Sequence, residues 1–295
     1  MGKRFVLIAT GIVVAAASVL VQAEPRSGAA AERDVRFSRV HLKTGIELQV
    51  AQSGPSTGEP ILMLHGITDS WFSFSMVMER LPVDYRLIVP SQRGHGDSDR
   101  PKGSYALKQF AADVVAFMDA MNVKEAAIVG HSMGSFIAQH VAAQAPERVS
   151  RLVLIGSATK IRNDVVMELH REITALTDPV PEKFVREFQS SVTFKPVPQD
   201  FFEGVIKESL KLTAPVWREV MAEMLSPNAD VDLKKIKNPT LIIWGDKENI
   251  FPRSEQDLLT AALHHSVLKV YTDIGHVPVW ECPEQVAKDL QEFIN

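Results

Sequence analysis

The chain has 295 residues, 45% hydrophobic and 23% charged, a balance that allows a sizeable globular core and excludes a disordered or fibrous chain. Its formal net charge is −4 with no Lys/Arg run in the body, so nucleic acid is not an expected partner. The only cysteine, Cys282, excludes an internal disulfide, and no Cys/His cluster points to a metal.

The first residues read as an export signal. Lys3 and Arg4 precede an apolar run from Phe5 to Val21, and Val21-Gln22-Ala23 places small residues at a cleavage site. The expectation is a signal peptide over 1–23 and a secreted or periplasmic chain starting at Glu24, with no stable membrane association after cleavage. The run also has the length of a marginal membrane anchor, and that alternative stays open. An exported chain without disulfides fits a bacterial periplasm. Residues 24–33, rich in Ala, Gly, Ser and Arg, read as a flexible lead-in.

Val35–Leu42 and Ile46–Ala51 flank Thr44-Gly45 and read as a hairpin. Ile61–Leu64 and Leu87–Pro90 are short and wholly apolar, as strands buried on both faces of a parallel sheet are. Phe110, Val114, Phe117, Met118 and Met121 recur at helical spacing. Ala126–Val129 is the next strand, Phe136–Ala145 the helix after it, and Leu152–Ile155 a further strand. Then the alternation stops. Helical segments at Val165–Leu176, Glu182–Ser190, Phe201–Leu212 and Val216–Leu225, punctuated by prolines, fill a stretch too long for a loop. Strand and helix resume at Leu241–Trp244, Ser254–Leu263, Val267–Tyr271 and Glu284–Phe293. The pattern predicts an α/β fold: a doubly wound, mostly parallel sheet over 34–157 and 239–295, interrupted by a helical cap over 158–238.

Gly130-His131-Ser132-Met133-Gly134 matches G-x-S-x-G and lies between a predicted strand and a predicted helix. A serine on such a sharp turn needs small neighbours and projects its hydroxyl above the sheet edge. The helix start behind it offers N–H groups to developing negative charge. An ordinary glycine-rich βα turn would give the same five letters, and it is the strand–turn–helix context that selects Ser132 as a nucleophile.

With these residues on the page, the chain from Val35 onward resembles the α/β-hydrolase superfamily. His65-Gly66-Ile67 is similar to its oxyanion loop, and Arg93-Gly94-His95-Gly96-Asp97-Ser98 to the loop after its fourth strand. Gly130–Gly134 resembles its nucleophile elbow and Gly275-His276-Val277-Pro278 its histidine loop. The subgroup it resembles holds small capped serine hydrolases: carboxylesterases, lactonases, carbon–carbon bond hydrolases and cofactor-free haloperoxidases. The resemblance implies a Ser132 nucleophile, a His276 general base, backbone N–H groups of Ile67 and Met133 as oxyanion hole, and no cofactor or metal. Topology also favours His276 among the nine histidines, because it follows the last strand. His131 is expected to point away from Ser132, and His65 and His95 to make structural hydrogen bonds.

The acid is where the chain departs from the family's Trp-Gly-x-x-Asp-x-x-x-Pro pattern. Here the stretch reads Trp244-Gly245-Asp246-Lys247-Glu248-Asn249-Ile250-Phe251-Pro252. Counting from either end puts the acid on Glu248, with Asp246 as the alternative. Trp71, Phe72 and Phe136 are candidates for a pocket wall or for core. Asp is absent from the nucleophile position, which excludes the dehalogenase and epoxide hydrolase chemistries of this fold. The expected function is hydrolysis of a small-molecule carboxylic ester or lactone through an acyl-enzyme. Carbon–carbon bond hydrolysis, a perhydrolase or haloperoxidase-like reaction, and a non-catalytic ligand cup are the alternatives.

Overall fold

Gly45 turns the chain with φ +84°, joining strand β1 (Arg36–His41) to β2 (Glu47–Ser53) in antiparallel register with Arg36 opposite Gln52. The computed structural model describes residues 33–295; the leader expected over 1–23, and all but the last residue of the lead-in, lie outside the described residues. β1 is an exposed edge, and its arginines Arg36 and Arg39 suit an edge that must not pair with another chain.

Six more strands complete the sheet: β3 (Pro60–Leu64), β4 (Arg86–Pro90), β5 (Ala126–His131), β6 (Val149–Ile155), β7 (Thr240–Gly245) and β8 (Ser266–Tyr271). The order is β1-β2-β4-β3-β5-β6-β7-β8, and only β2 runs against the rest. β5 and β7 are buried along their whole length, which is why their sequences show continuous apolar runs rather than alternation.

After α1 (Ser75–Met78), the helices α2 (Leu107–Ala120) and α3 (Met133–Gln144) pack on this sheet. α2 buries Phe110, Val114 and Phe117 at the expected spacing. It also buries Asp113, whose carboxylate is clamped by the buried Arg93 guanidinium at 2.6 and 2.9 Å. That pair anchors the Arg93–Ser98 loop. α3 starts at Met133, three residues before the expected start: Gly134 and Ser135 are poor helix formers that hide the start in the sequence, and Gly134 serves close packing on the end of β3.

Between β6 and β7 the chain forms four helices: α4 (Asp164–Thr174), α5 (Glu182–Ser191), α6 (Gln199–Ser209) and α7 (Ala214–Met224). Asn163 Oδ1 caps α4 by accepting from Val166 N–H at 2.9 Å. Prolines set the other starts, with Pro181 and Pro198 at the N-caps of α5 and α6 and Pro215 in the first turn of α7. α4 packs on α7, and α5 on α6. The chain ends with α8 (Arg253–Ala262), α9 (Pro278–Glu281) and α10 (Pro283–Ile294). The short helical stretches Trp71–Met78 and Pro278–Glu281 are not predicted by periodicity, since one turn is too short to show any.

Candidate active site

Ser132 joins β5 to α3 with φ +49° and ψ −121°, a strained backbone for a serine. The strain is held by neighbours. Ser132 N–H donates to Ile155 O at 2.9 Å, and Ser132 O accepts from Ser135 N–H at 2.8 Å. The flanking glycines answer a steric demand: a Cβ on Gly130 would lie 2.3 Å from Gly134 O, and one on Gly134 2.0 Å from Leu64 O. So the G-x-S-x-G spelling follows from how closely β5, α3 and the end of β3 approach.

His276 follows β8 through the turn Asp273-Ile274-Gly275. Its Nδ1–H donates to Glu248 Oε1 at 2.5 Å, both side chains being buried. Oε1 also accepts from Phe251 N–H at 3.2 Å. Burial raises the Glu248 carboxyl above its ordinary range, opposed by His276 and by the Phe251 amide. The ring is seated against Gly156, where a Cβ would meet His276 Cε1 at 2.9 Å. Its backbone N–H donates to Val192 O of the helical insertion at 3.0 Å.

Asp246 lies elsewhere. Its Oδ1 accepts from Asp273 N–H at 2.7 Å and stands 3.3 Å from Lys247 Nζ, fixing the turn before His276 without touching the ring. His65 and His95 make structural hydrogen bonds. His65 Nδ1–H donates to Gly66 O at 2.8 Å and its Nε2 accepts from Gln92 N–H at 2.9 Å, while His95 Nδ1–H donates to Arg93 O at 2.8 Å.

His131 corrects one expectation. Rather than turning away, it lines the pocket beside Ser132, with its ring centroid 5.2 Å from that of His276. The strand continues through His131, so alternation sends its side chain under His276, whose carbonyl accepts from His131 Nε2–H at 3.0 Å. Burial holds this imidazole down to about 3, so it stays neutral.

Ser132, His276, Gly66 and Ile67 line one pocket, whose space free of protein atoms is about 590 Å³ including the part open to solvent. The Ile67 and Met133 amides donate to no other group among the described residues. They stand in the turn after β3 and at the first position of α3, where backbone N–H groups are free to bind an anion. Ser132 Oγ is not hydrogen-bonded to His276 among the described residues; a hydrogen bond between a nucleophile and its base often tightens only as a ligand binds.

The walls differ from the candidates. Trp71, Phe72 and Phe136 are not among the lining residues. Phe72 stacks on Phe201 at 5.2 Å, Trp71 meets Phe37 at the sheet edge, and Phe136 stands behind Phe251. The apolar walls come chiefly from the insertion, through Val166, Leu169, Phe188, Met221 and Met224, facing Phe251 and Trp280. Sequence reasoning also passed over Asp69 and Gln189, the pocket's remaining polar side chains. The signal for Asp69 was available: an acid two residues beyond Ile67, in a loop otherwise made of small and apolar residues.

The fold has known counterparts. A family model described as "alpha/beta hydrolase fold" matches residues 59–283. The chain is similar to lipase 1 of Psychrobacter immobilis, 26% identical over 270 residues, covering 88% of this chain and 84% of the relative. It is similar at 26% identity to the 2-hydroxymuconate semialdehyde hydrolase of Pseudomonas sp. (strain CF600), covering 90% and 96%. Among solved structures it resembles an esterase from Exiguobacterium antarcticum, with a TM-score of 0.79, 22% identity and coverage of 88% and 99%.

Proposed function

This chain belongs to the alpha/beta hydrolase fold family and is a hydrolase, and on that premise we propose that it cleaves uncharged carboxylic esters or lactones through an acyl-enzyme on Ser132. The observation that carries the reading is the buried Glu248–His276 pair opening on the same pocket as Ser132. A serine hydroxyl is a weak nucleophile and needs such a base. His276 Nε2 takes the hydroxyl proton as Ser132 Oγ bonds to the carbonyl carbon. Glu248 holds the ring in the Nδ1–H tautomer and stabilises the imidazolium. The carbonyl oxygen, now an anion, is received by the Ile67 and Met133 amides, each worth on the order of 3 kcal/mol. His276 returns the proton to the leaving alkoxide, the carbon–oxygen bond breaks, and the acyl group stays on Ser132. Water, deprotonated by His276, then releases the acid.

The substrate class follows from the walls. The lining residues include no Lys or Arg, and Asp69 is among them, so an anionic substrate meets no counter-charge. An apolar acyl chain fits the surface offered by Val166, Leu169, Met221 and Met224. We expect Ser132→Ala to fold normally and to lose hydrolysis of p-nitrophenyl butyrate by at least about a thousandfold. Covalent labelling by a fluorophosphonate at a serine other than Ser132 would overturn the assignment.

A further inference from the structure

The turn that carries the Ile67 amide holds a second buried carboxyl for which the serine chemistry has no use. Asp69 is 4% exposed and lines the pocket with Gly66, Ser132 and His276. Its own N–H closes the turn on Gly66 O at 3.4 Å. Oδ2 accepts from Ser73 Oγ–H at 3.1 Å, and Ser73 Oγ in turn accepts from Trp280 Nε1–H at 2.9 Å, four residues after His276. Oδ1 accepts from Gln189 Nε2–H of α5 at 3.1 Å. The same amide nitrogen reaches Thr68 Oγ1 at 3.2 Å and Ser209 Oγ of α6 at 2.9 Å, sharing two hydrogens among three oxygens. Between Ile67 and Asp69 sits Thr68 with φ +68°, a conformation that a β-branched residue holds only under restraint.

We propose that Asp69 is a positioning residue, whose carboxyl fastens the Gly66–Asp69 turn, and with it the Ile67 amide, to helix α5 of the insertion and to the segment after His276. The proposal rests on the serine-hydrolase reading above. A buried carboxyl is costly unless its oxygens are satisfied, and here both are, by donors from two separate parts of the chain. The arrangement makes the insertion more than a roof. Displacing α5 would release Gln189, then Asp69, then the strained turn that presents the oxyanion donor.

The hydrogen bonds also define which protonation state holds the turn. An ionised Asp69 accepts from Gln189 and Ser73 together. A protonated one must place its own hydrogen: the Gln189 amide nitrogen cannot accept it, and Ser73 Oγ accepts it only by turning its own hydrogen away from Oδ2, which ends the Ser73-to-Asp69 hydrogen bond. Burial pushes this carboxyl up to about 7, while Gln189, Ser73 and His276 oppose the rise. The titratable groups around it are His276 after β8, His131 of β5 across Gly66, and Glu208 of α6 behind it. Turnover that needs the ionised Asp69 rises with pH through about 7.

The test compares wild type, Asp69→Asn, Gln189→Leu and the double variant on p-nitrophenyl acetate from pH 5 to 9. Each single substitution is expected to lower kcat roughly ten- to a hundredfold, as a small displacement of a catalytic donor does, with KM within about threefold. The double variant should be no slower than the worse single one, because both act through one link. The acid limb of kcat/KM should be steeper in wild type than in Asp69→Asn, which has lost one ionisation. Should Asp69→Asn fail to fold, Gln189→Leu still carries the test through its kcat. Variants that only melt earlier while keeping kcat and the wild-type acid limb overturn the proposal, as do losses that multiply in the double variant. A wild type inert to esters and fluorophosphonate overturns the serine-hydrolase reading instead.

Discussion

At Glu248 a single methylene separates this chain from the commoner aspartate, and the backbone accommodates it. Glu248 N–H donates to Gly245 O at 3.1 Å, a tight turn directly after β7 from which the longer side chain reaches His276. We expect Glu248→Gln to lower kcat by up to about ten-thousandfold, because the amide cannot stabilise the imidazolium and favours the wrong tautomer. Asp246→Asn should lose less than about tenfold, since its remaining carbonyl oxygen can still accept from Asp273 N–H. Steady-state rates on one ester, with circular dichroism to verify folding, separate the two; a crippled Asp246→Asn beside a healthy Glu248→Gln would reverse the roles. Counting from Trp244 and Pro252 reaches Glu248 because Trp244 Nε1–H donates to Phe251 O at 2.9 Å, which closes the loop and makes its length meaningful. No comparable frame surrounds Asp69. Its partner Ser73 is four residues away, but Gln189 and, beyond Ser73, Trp280 are distant in the chain, so the acid is visible in the sequence while its role is not.

Among the elements, long helices are legible because their apolar period repeats over several turns, and the buried strands because each is a short continuous apolar run. What periodicity cannot say is which neighbour a helix's apolar face meets. α4 and α7 show apolar stripes that look like any packed pair, yet Val166, Leu169, Met221 and Met224 on them also enclose the space above Ser132. This gives a prediction for the insertion. Met224→Trp places a larger ring against that space at a cost of about 1–3 kcal/mol in packing. If the walls receive the acyl chain, kcat/KM for p-nitrophenyl octanoate should fall at least about tenfold relative to the acetate. Equal loss on both esters would show that the acyl chain lies elsewhere.

Across the whole molecule, the buried titratable groups make opposed contributions to stability in acid. Burial lowers His65 well below the usual imidazole range, His95 to about 4 and His131 to about 3, and lowers His140 as well. Each is neutral when folded but binds a proton near pH 6.5 when unfolded. Between those values the unfolded state holds more protons, so their contribution to stability is complete above about pH 6.5 and is lost as pH falls. The loss approaches about 1.4 kcal/mol per pH unit for each histidine. Asp69 has the opposite sign. Its folded value of about 7 lies above the ordinary aspartate value of 3.8, so the folded state holds the extra proton, and its contribution is fully present below about 4 and lost as pH rises through 7. Glu248, also raised, acts in the same direction as Asp69. Several histidines outweigh two carboxyls, so the urea midpoint should fall steeply from pH 7 to pH 5. In Asp69→Asn one offset is gone, and the fall over that interval should be steeper than in wild type. Urea titrations of both proteins at half-unit steps measure this directly. A wild-type midpoint that holds or rises toward pH 5 would mean that the buried imidazoles gain protons without unfolding the chain; parallel curves for the two proteins would mean that Asp69 is already ionised throughout.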